Sequence, residues 1–145
     1  MLKKISELFL IYSIIFLFGC SSKFKYNDDY ESDIEFNDKV NVYFFYSETC
    51  EHCKELMKFL NSLDKDIKKN INLYTFDNLE KQNKELKEKF LNELNATSNG
   101  TPFLVIGKKS FSGYDSKKDT EIINALKNQI NKEPKDRYDV YKKIS

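Results

Sequence analysis

Val40-Asn41-Val42-Tyr43-Phe44-Phe45-Tyr46-Ser47-Glu48-Thr49-Cys50-Glu51-His52-Cys53 is the stretch on which the rest of the chain is organised. Its first seven residues are apolar on both faces of an extended segment. Val40, Val42, Phe44 and Tyr46 lie on one side and Tyr43 and Phe45 on the other, the pattern of a central, covered strand. Ser47-Glu48-Thr49 reads as a turn, with Thr49 placed to cap a helix. Beyond it, Cys53, Leu56, Met57, Leu60, Leu63 or Asp64, and Ile67 follow helical spacing, and Lys68-Lys69-Asn70 closes the run. The spacing therefore predicts a strand that turns into a helix with a CxxC at the turn. Two sulfurs so placed can close a disulfide with little backbone movement. The helix N-terminus offers unpaired N–H groups and the positive end of the dipole, which favour a thiolate over a thiol. Cys50, at the helix start, is the candidate nucleophile, and Cys53, one turn deeper, the candidate resolving residue.

The remainder of the chain supplies a platform. Residues 71–76 read as a second strand, and Asp77-Asn78 as the start of a helix carrying Leu79, Leu86, Phe90 and Leu94. The other face of that helix is Lys and Glu and reads as solvated. Thr101-Pro102 leads into the apolar run Phe103-Leu104-Val105-Ile106, and Gly107-Lys108-Lys109 turns it back through residues 110–114. Ser116 opens a last helix striped by Ile122, Ile123, Leu126 and Ile130, and Pro134 stops it. The order β-α-β-α-β-β-α implies one α/β domain: a central mixed sheet of about four strands between helices, parallel where helices connect strands and antiparallel at the hairpin. Ile34 and Phe36 alternate and are compatible with a short edge strand.

At 145 residues the chain is long enough for one domain. With 24 Lys+Arg against 23 Asp+Glu, charge gives no argument for nucleic acid or for an acidic partner. Three cysteines leave one outside the CxxC, Cys20. It ends a basic start (Lys3, Lys4) and an apolar run over residues 8–18, too short for a spanning helix of ~20 residues and arranged like a secretory signal. Leu17-Phe18-Gly19-Cys20 resembles the bacterial lipobox, with Phe18 larger than the pattern prefers. That resemblance implies a lipid on Cys20, cleavage before it, and a membrane-anchored domain outside the cytoplasm, where disulfide chemistry operates. An uncleaved signal anchor is the alternative, with the same consequence for location. The expected division is 1–19 lipoprotein signal peptide, 20–38 polar tether, 39–131 folded domain and 132–145 charged tail, on which Tyr138, Val140 and Tyr141 are placed to dock.

The CxxC after the first strand, the Thr-Pro before the third and the Gly113-Tyr114 after the hairpin together resemble the thioredoxin superfamily over about residues 39–131. The resemblance implies a thioredoxin-like fold with Cys50 and Cys53 as a redox-active disulfide. It implies a cis Pro102 beside them and a Thr101 whose backbone pairs with an extended substrate segment. Three positions depart from thioredoxin. The buried acidic residue six positions before the first cysteine is Phe44, the Trp just before that cysteine is Thr49, and Glu51-His52 replaces Gly-Pro. A histidine before the second cysteine resembles disulfide-forming oxidoreductases and protein disulfide isomerase, so His52 is expected to tune the Cys50 thiolate.

The expected function is thus an extracytoplasmic thiol-disulfide oxidoreductase acting on protein thiols or disulfides through a CEHC dithiol. It needs no cofactor, binds no nucleic acid, works with an unidentified redox partner and touches the membrane through Cys20. A thiol reductase in a reducing relay or in cytochrome maturation is the alternative within enzymes. A non-catalytic thioredoxin-like binding module is the alternative outside them. A structural disulfide or half a zinc site competes for the same cysteines. Zinc takes about four ligands, and only His52 and Cys20 are left to add, so no metal site is expected.

Overall fold

The structure is a computed structural model and describes residues 23–29 and 31–145. Cys20 and the signal-like segment before it lie outside the described residues. The order of elements begins with β1 (Val40–Tyr46), α1 (Glu51–Ser62), α2 (Lys65–Lys68), β2 (Ile71–Asp77) and α3 (Lys81–Leu94). It continues with β3 (Phe103–Ile106), β4 (Lys109–Ser112), α4 (Asp119–Ile130) and α5 (Val140–Ile144). The four strands form one sheet in the order β2-β1-β3-β4. Strand β1 is buried along its whole length, as apolar residues on both faces require.

Each face of the sheet carries its own apolar layer, because alternate side chains of β1 point to opposite sides. Val42, Phe44, Leu104 and Ile106 pack against Cys53, Leu56 and Leu60 of α1 and Ile122 and Leu126 of α4. Tyr43, Phe45, Phe76, Phe103 and Val105 pack against Leu86, Phe90 and Leu91 of α3 and Val140 of α5. The second layer is mostly aromatic. The Phe90 ring stands edge-on to Tyr43 and Phe45, with centroids 5.1 and 5.5 Å away. By its burial, Phe90→Ala would cost about 3–5 kcal/mol.

Strands β1 and β2 are parallel, in register from Val40–Ile71 to Tyr46–Asp77. Strand β3, expected to run parallel because a helix precedes it, runs antiparallel to β1 and pairs Phe45 with Phe103. Helix α3 spans the sheet on one face, and residues 95–102 return the chain at the same end of the sheet as the end of β1. No repeat of apolar spacing distinguishes that return from a parallel crossover.

Other local differences have equally local causes. The first helix does not continue to Lys69. Leu63 adopts an extended backbone (ψ 149°), which lets both Leu63 and Ile67 be buried, and Lys68 Nζ donates to the Asn61 carbonyl at 3.2 Å. Helix α3 begins at Lys81 rather than at Asp77-Asn78, since Asp77 completes β2 and its carboxylate binds the Leu79 N–H at 2.9 Å. Leu79 is consequently 65% exposed instead of lying on the buried stripe. No strand forms at Ile34 and Phe36. A single 3-10 turn, Glu31–Asp33, precedes them, Ile34 packs against the aromatic layer, and Phe36 stacks on Tyr141.

Both flanking segments are structured, and Tyr138, Val140 and Tyr141 of the second pack on the aromatic layer. From Phe24 to Asp29 the chain is a strap across the domain rather than a free tether. Phe24 N donates to Asn61 Oδ1 at 2.7 Å, and Asp29 N donates to the Thr75 carbonyl at 3.0 Å. The C-terminal segment folds back over the aromatic layer. Asp139 caps α5 and also accepts from Tyr43 Oη (2.8 Å) and Asn41 Nδ2 (3.0 Å). Arg137 donates to the carbonyls of Gln129 (3.0 Å), Ile130 (3.2 Å), Lys132 (3.2 Å) and Asp38. One guanidinium thereby satisfies the open end of α4 and ties it to the entry of β1.

Candidate active site: a dithiol at a helix N-terminus

Strand β1 ends at Tyr46, and the Cys50 N–H closes the turn on the Ser47 carbonyl at 3.1 Å. Cys50 itself is the N-cap of α1, with an extended backbone (φ −85°, ψ 107°). The cap expected of Thr49 is supplied one residue later, by sulfur: Cys50 Sγ accepts the Cys53 N–H at 3.1 Å. Cys50 and Cys53 are joined by a disulfide, their Cα atoms 5.2 Å apart. Cys50 is half-buried, whereas Cys53 is fully buried. Exposure and the backbone donor both belong to the first sulfur.

The Thr101–Pro102 peptide bond is cis. Its position follows from the sheet. Phe45 opposes Phe103 in an antiparallel pair, so one step further Tyr46 faces Pro102, and one more Ser47 faces Thr101. Ser47 Oγ and Thr101 Oγ1 are indeed 3.3 Å apart. The CxxC turn and the Thr-Pro loop therefore sit at the same edge, and the Pro102 carbonyl accepts the Gly113 N–H at 2.9 Å. Gly113 has φ +68° there, a conformation that explains glycine at that position.

His52 and Glu51 point outward from the first turn of α1. His52 Nδ1 lies 3.0 Å from Glu55 Oε2, both side chains being largely exposed. Glu51 is paired with Lys54 at 2.5 Å, and that hydrogen bond holds its carboxyl below the usual range. Lys54 thus offsets the negative charge that Glu51 places beside Cys50. Phe44, at the position where thioredoxins are acidic, is fully buried in the same apolar cluster as Cys53.

Two further residues touch the site without a motif to mark them. Lys87 of α3 is 5% exposed; its Nζ donates to the Gly100 carbonyl at 2.6 Å and sits 5.5 Å from the centre of the Phe103 ring. Burial holds its pKa below the ordinary lysine value. It holds the loop just before Thr101, and the face read as solvated is not uniformly so. The signal was positional: Asn83 and Lys87 fall on the stripe with Leu86, Phe90 and Leu91. Tyr26, from the strap, donates its hydroxyl to the Cys53 carbonyl at 2.8 Å. Nothing in the sequence around Tyr26 connects it with residue 53.

A four-stranded α/β sheet with a dithiol at the start of α1 and a cis X-Pro at the facing strand defines a thioredoxin-like protein. The chain belongs to the thioredoxin family, whose model matches residues 22–128. The match starts inside the segment that the sequence reads as tether, in accord with the docked strap. No curated protein matches the chain. Among solved structures, glutaredoxin Grx-1 from Archaeoglobus fulgidus is similar at 24% identity and a TM-score of 0.42, over 58% of this chain and 86% of that one. The germline-specific thioredoxin Deadhead from Drosophila melanogaster is similar at 20% identity and a TM-score of 0.42, over 63% of this chain and 82% of that one.

Proposed function

We propose that this protein is an extracytoplasmic, lipid-anchored thiol-disulfide oxidoreductase that exchanges disulfides with protein substrates through Cys50 and Cys53. The observation that carries the proposal is the N-cap sulfur: Cys50 Sγ, the more exposed of the pair, accepts the Cys53 N–H at the positive end of α1. A backbone donor and a helix dipole favour negative charge on that sulfur, which makes Cys50 the nucleophile when reduced. When oxidised, its exposure beside the fully buried Cys53 makes it the sulfur that a substrate thiolate reaches. In the oxidising direction a substrate thiolate attacks Cys50 Sγ. The Cys50–Cys53 bond breaks, and Cys53 leaves as a thiolate and takes a proton. A second substrate thiolate then attacks the substrate sulfur and releases Cys50. The substrate loses two electrons and two protons, and the dithiol gains them. Reversing the steps gives reduction.

Thr101, with Pro102, is the platform in this proposal: its backbone pairs with an extended substrate segment, held by Lys87 from behind and by Ser47 at the side. Cys20 carries the anchor, supported by the lipobox-like run that ends there.

Three measurements test the proposal. The protein should accelerate insulin precipitation by dithiothreitol, and Cys50→Ser should abolish this; no acceleration would leave a binding module. Cys53→Ser should accumulate mixed disulfides through Cys50 in cells, and failure to trap any would remove protein substrates. The membrane-extracted protein should carry acyl mass on its N-terminal peptide, absent after Cys20→Ser; an unmodified Cys20 thiol would remove the anchor.

A further inference from the structure

The strap over residues 24–29 is fastened on both sides of Tyr26. Upstream, Asn61 of α1 receives the Phe24 N–H (2.7 Å) and returns its own amide to the Phe24 carbonyl (3.1 Å). Downstream, Asn27 N donates to Thr75 Oγ1 at 2.7 Å, Asp29 N to the Thr75 carbonyl at 3.0 Å, and Thr75 N to Asp29 Oδ2 at 2.8 Å. Thr75 is fully buried, so its side of these bonds is closed to water. Between the two fastenings Tyr26 turns inward. Its ring lies 4.3 Å from that of Tyr46 and 5.8 Å from that of Phe44, and its hydroxyl reaches the Cys53 carbonyl. Burial, with the neighbouring Tyr46, pushes its pKa up to about 12. It is therefore an O–H donor, never a phenolate, at any pH where the dithiol works.

We infer that Tyr26 is a positioning residue of the dithiol site, holding the Cys53 backbone so that the Cys53 sulfur is aimed at Cys50 when a mixed disulfide must be resolved. The inference rests on the dithiol chemistry proposed above and adds a residue to it. The physical reason is geometric. In the resolving step the Cys53 thiolate attacks Cys50 Sγ from behind the bond to the substrate sulfur. A new S–S bond forms as that bond breaks, and the substrate departs as a thiolate. Such a displacement needs three sulfurs nearly in line, and ~1 Å of misplacement can cost ~10²-fold in rate. Cys53 lies in the first turn of α1, whose N–H groups have no partner in the helical ladder, and its carbonyl has a second lone pair to take a donor from outside the helix. The Tyr26 hydroxyl adds a tertiary bond to that turn, anchored to the body at Asn61 and Thr75. The first attack, by the half-exposed Cys50, needs no aim from Cys53 and should not depend on it.

The test separates the two steps with dithiobis(nitrobenzoate) in stoichiometric amount, on the full chain carrying Cys20→Ser so that only two thiols remain. Reduced protein should release nitrothiobenzoate in a fast phase that scales with reagent, from attack by Cys50. A slower phase independent of reagent should follow, from attack by Cys53. Tyr26→Phe keeps the ring and removes only the hydroxyl. It should slow the second phase at least threefold while leaving the first within twofold. A second phase slowed less than threefold would overturn the inference, and so would equal slowing of both phases, which marks a packing role. If Cys53→Ser rather than Cys50→Ser abolishes the first phase, the assignment of the two cysteines falls and the inference with it. A wild-type pattern as described with an unaffected Tyr26→Phe overturns the inference alone.

Discussion

The environments of the two sulfurs assign opposite behaviour to chemically identical side chains. Cys50 receives a backbone N–H at the helix start, whereas Cys53 is buried among apolar residues. In reduced protein, iodoacetamide should therefore alkylate Cys50 well below pH 8 and leave Cys53 slow, read by peptide mass; equal rates, or a faster Cys53, would reverse the assignment. The same donor stabilises the reduced form, since a thiolate accepts a hydrogen bond more strongly than a disulfide sulfur does. The reduction potential should accordingly be more oxidising than the roughly −270 mV of thioredoxin, with each unit of lowered Cys50 pKa adding ~30 mV. Glutathione titration measures it, and a value at or below that of thioredoxin would favour the reductase. Titrating His52→Pro measures how much the histidine contributes. Its bond to Glu55 keeps the ring on the outer face of the first turn, so a large drop would mean that its charge, rather than direct contact with Cys50, is at work. Lys87 carries a separate expectation. Its burial disfavours the charge while the Gly100 carbonyl rewards it. Lys87→Met relieves one and forfeits the other, so the denaturation midpoint should hardly move. Amide exchange at Gly100 and Thr101 should quicken, because the loop loses its fastening; unchanged exchange would show that the loop holds itself.

At the scale of elements, apolar stripes are not what fixes the ends of α1, α4 and α5. Helix α1 starts with a sulfur cap, α5 with the Asp139 carboxylate, and α4 ends on the Arg137 guanidinium. Arg137→Ala removes charged hydrogen bonds to carbonyls at both the end of α4 and the start of β1. Urea unfolding should show a midpoint lowered by the equivalent of ~2 kcal/mol with an unchanged slope. A loss below about 0.5 kcal/mol would mean that water replaces the guanidinium without cost. Gly107 sets the β3–β4 hairpin in a comparable way. It has φ +58°, and a Cβ would come within 2.5 Å of Gln129 Nε2. Both strain and contact oppose any larger residue there.

At the scale of the whole molecule the aromatic content becomes a pH response. Burial holds the pKa of Tyr26, Tyr43, Tyr46, Tyr74, Tyr114, Tyr138 and Tyr141 above the ordinary tyrosine value of 10.0, up to about 12 for Tyr26 and Tyr138. In the unfolded chain each ionises near ~10. A raised folded pKa means that the native state keeps protons the unfolded state gives up. The stabilisation is therefore complete below pH ~10 and is lost as pH rises from there toward the folded values. Phenolate absorbance and circular dichroism followed together should change in one cooperative step above pH ~10. Gradual phenolate formation with intact dichroism would show that the rings are reached by solvent without unfolding. What the sequence determined by itself is whatever depends on neighbours along the chain: the β1-turn-α1 unit, the dithiol in it, the Thr-Pro before β3 and the apolar stripes. These rest on periodicity and on residue types with few conformations. The antiparallel direction of β3, the burial of Lys87, the carbonyl hub at Arg137 and the reach of Tyr26 to Cys53 were decided only in the tertiary structure. Each joins groups far apart in sequence, and a polar side chain that reads as solvated is buried only when a distant backbone group arrives to satisfy it.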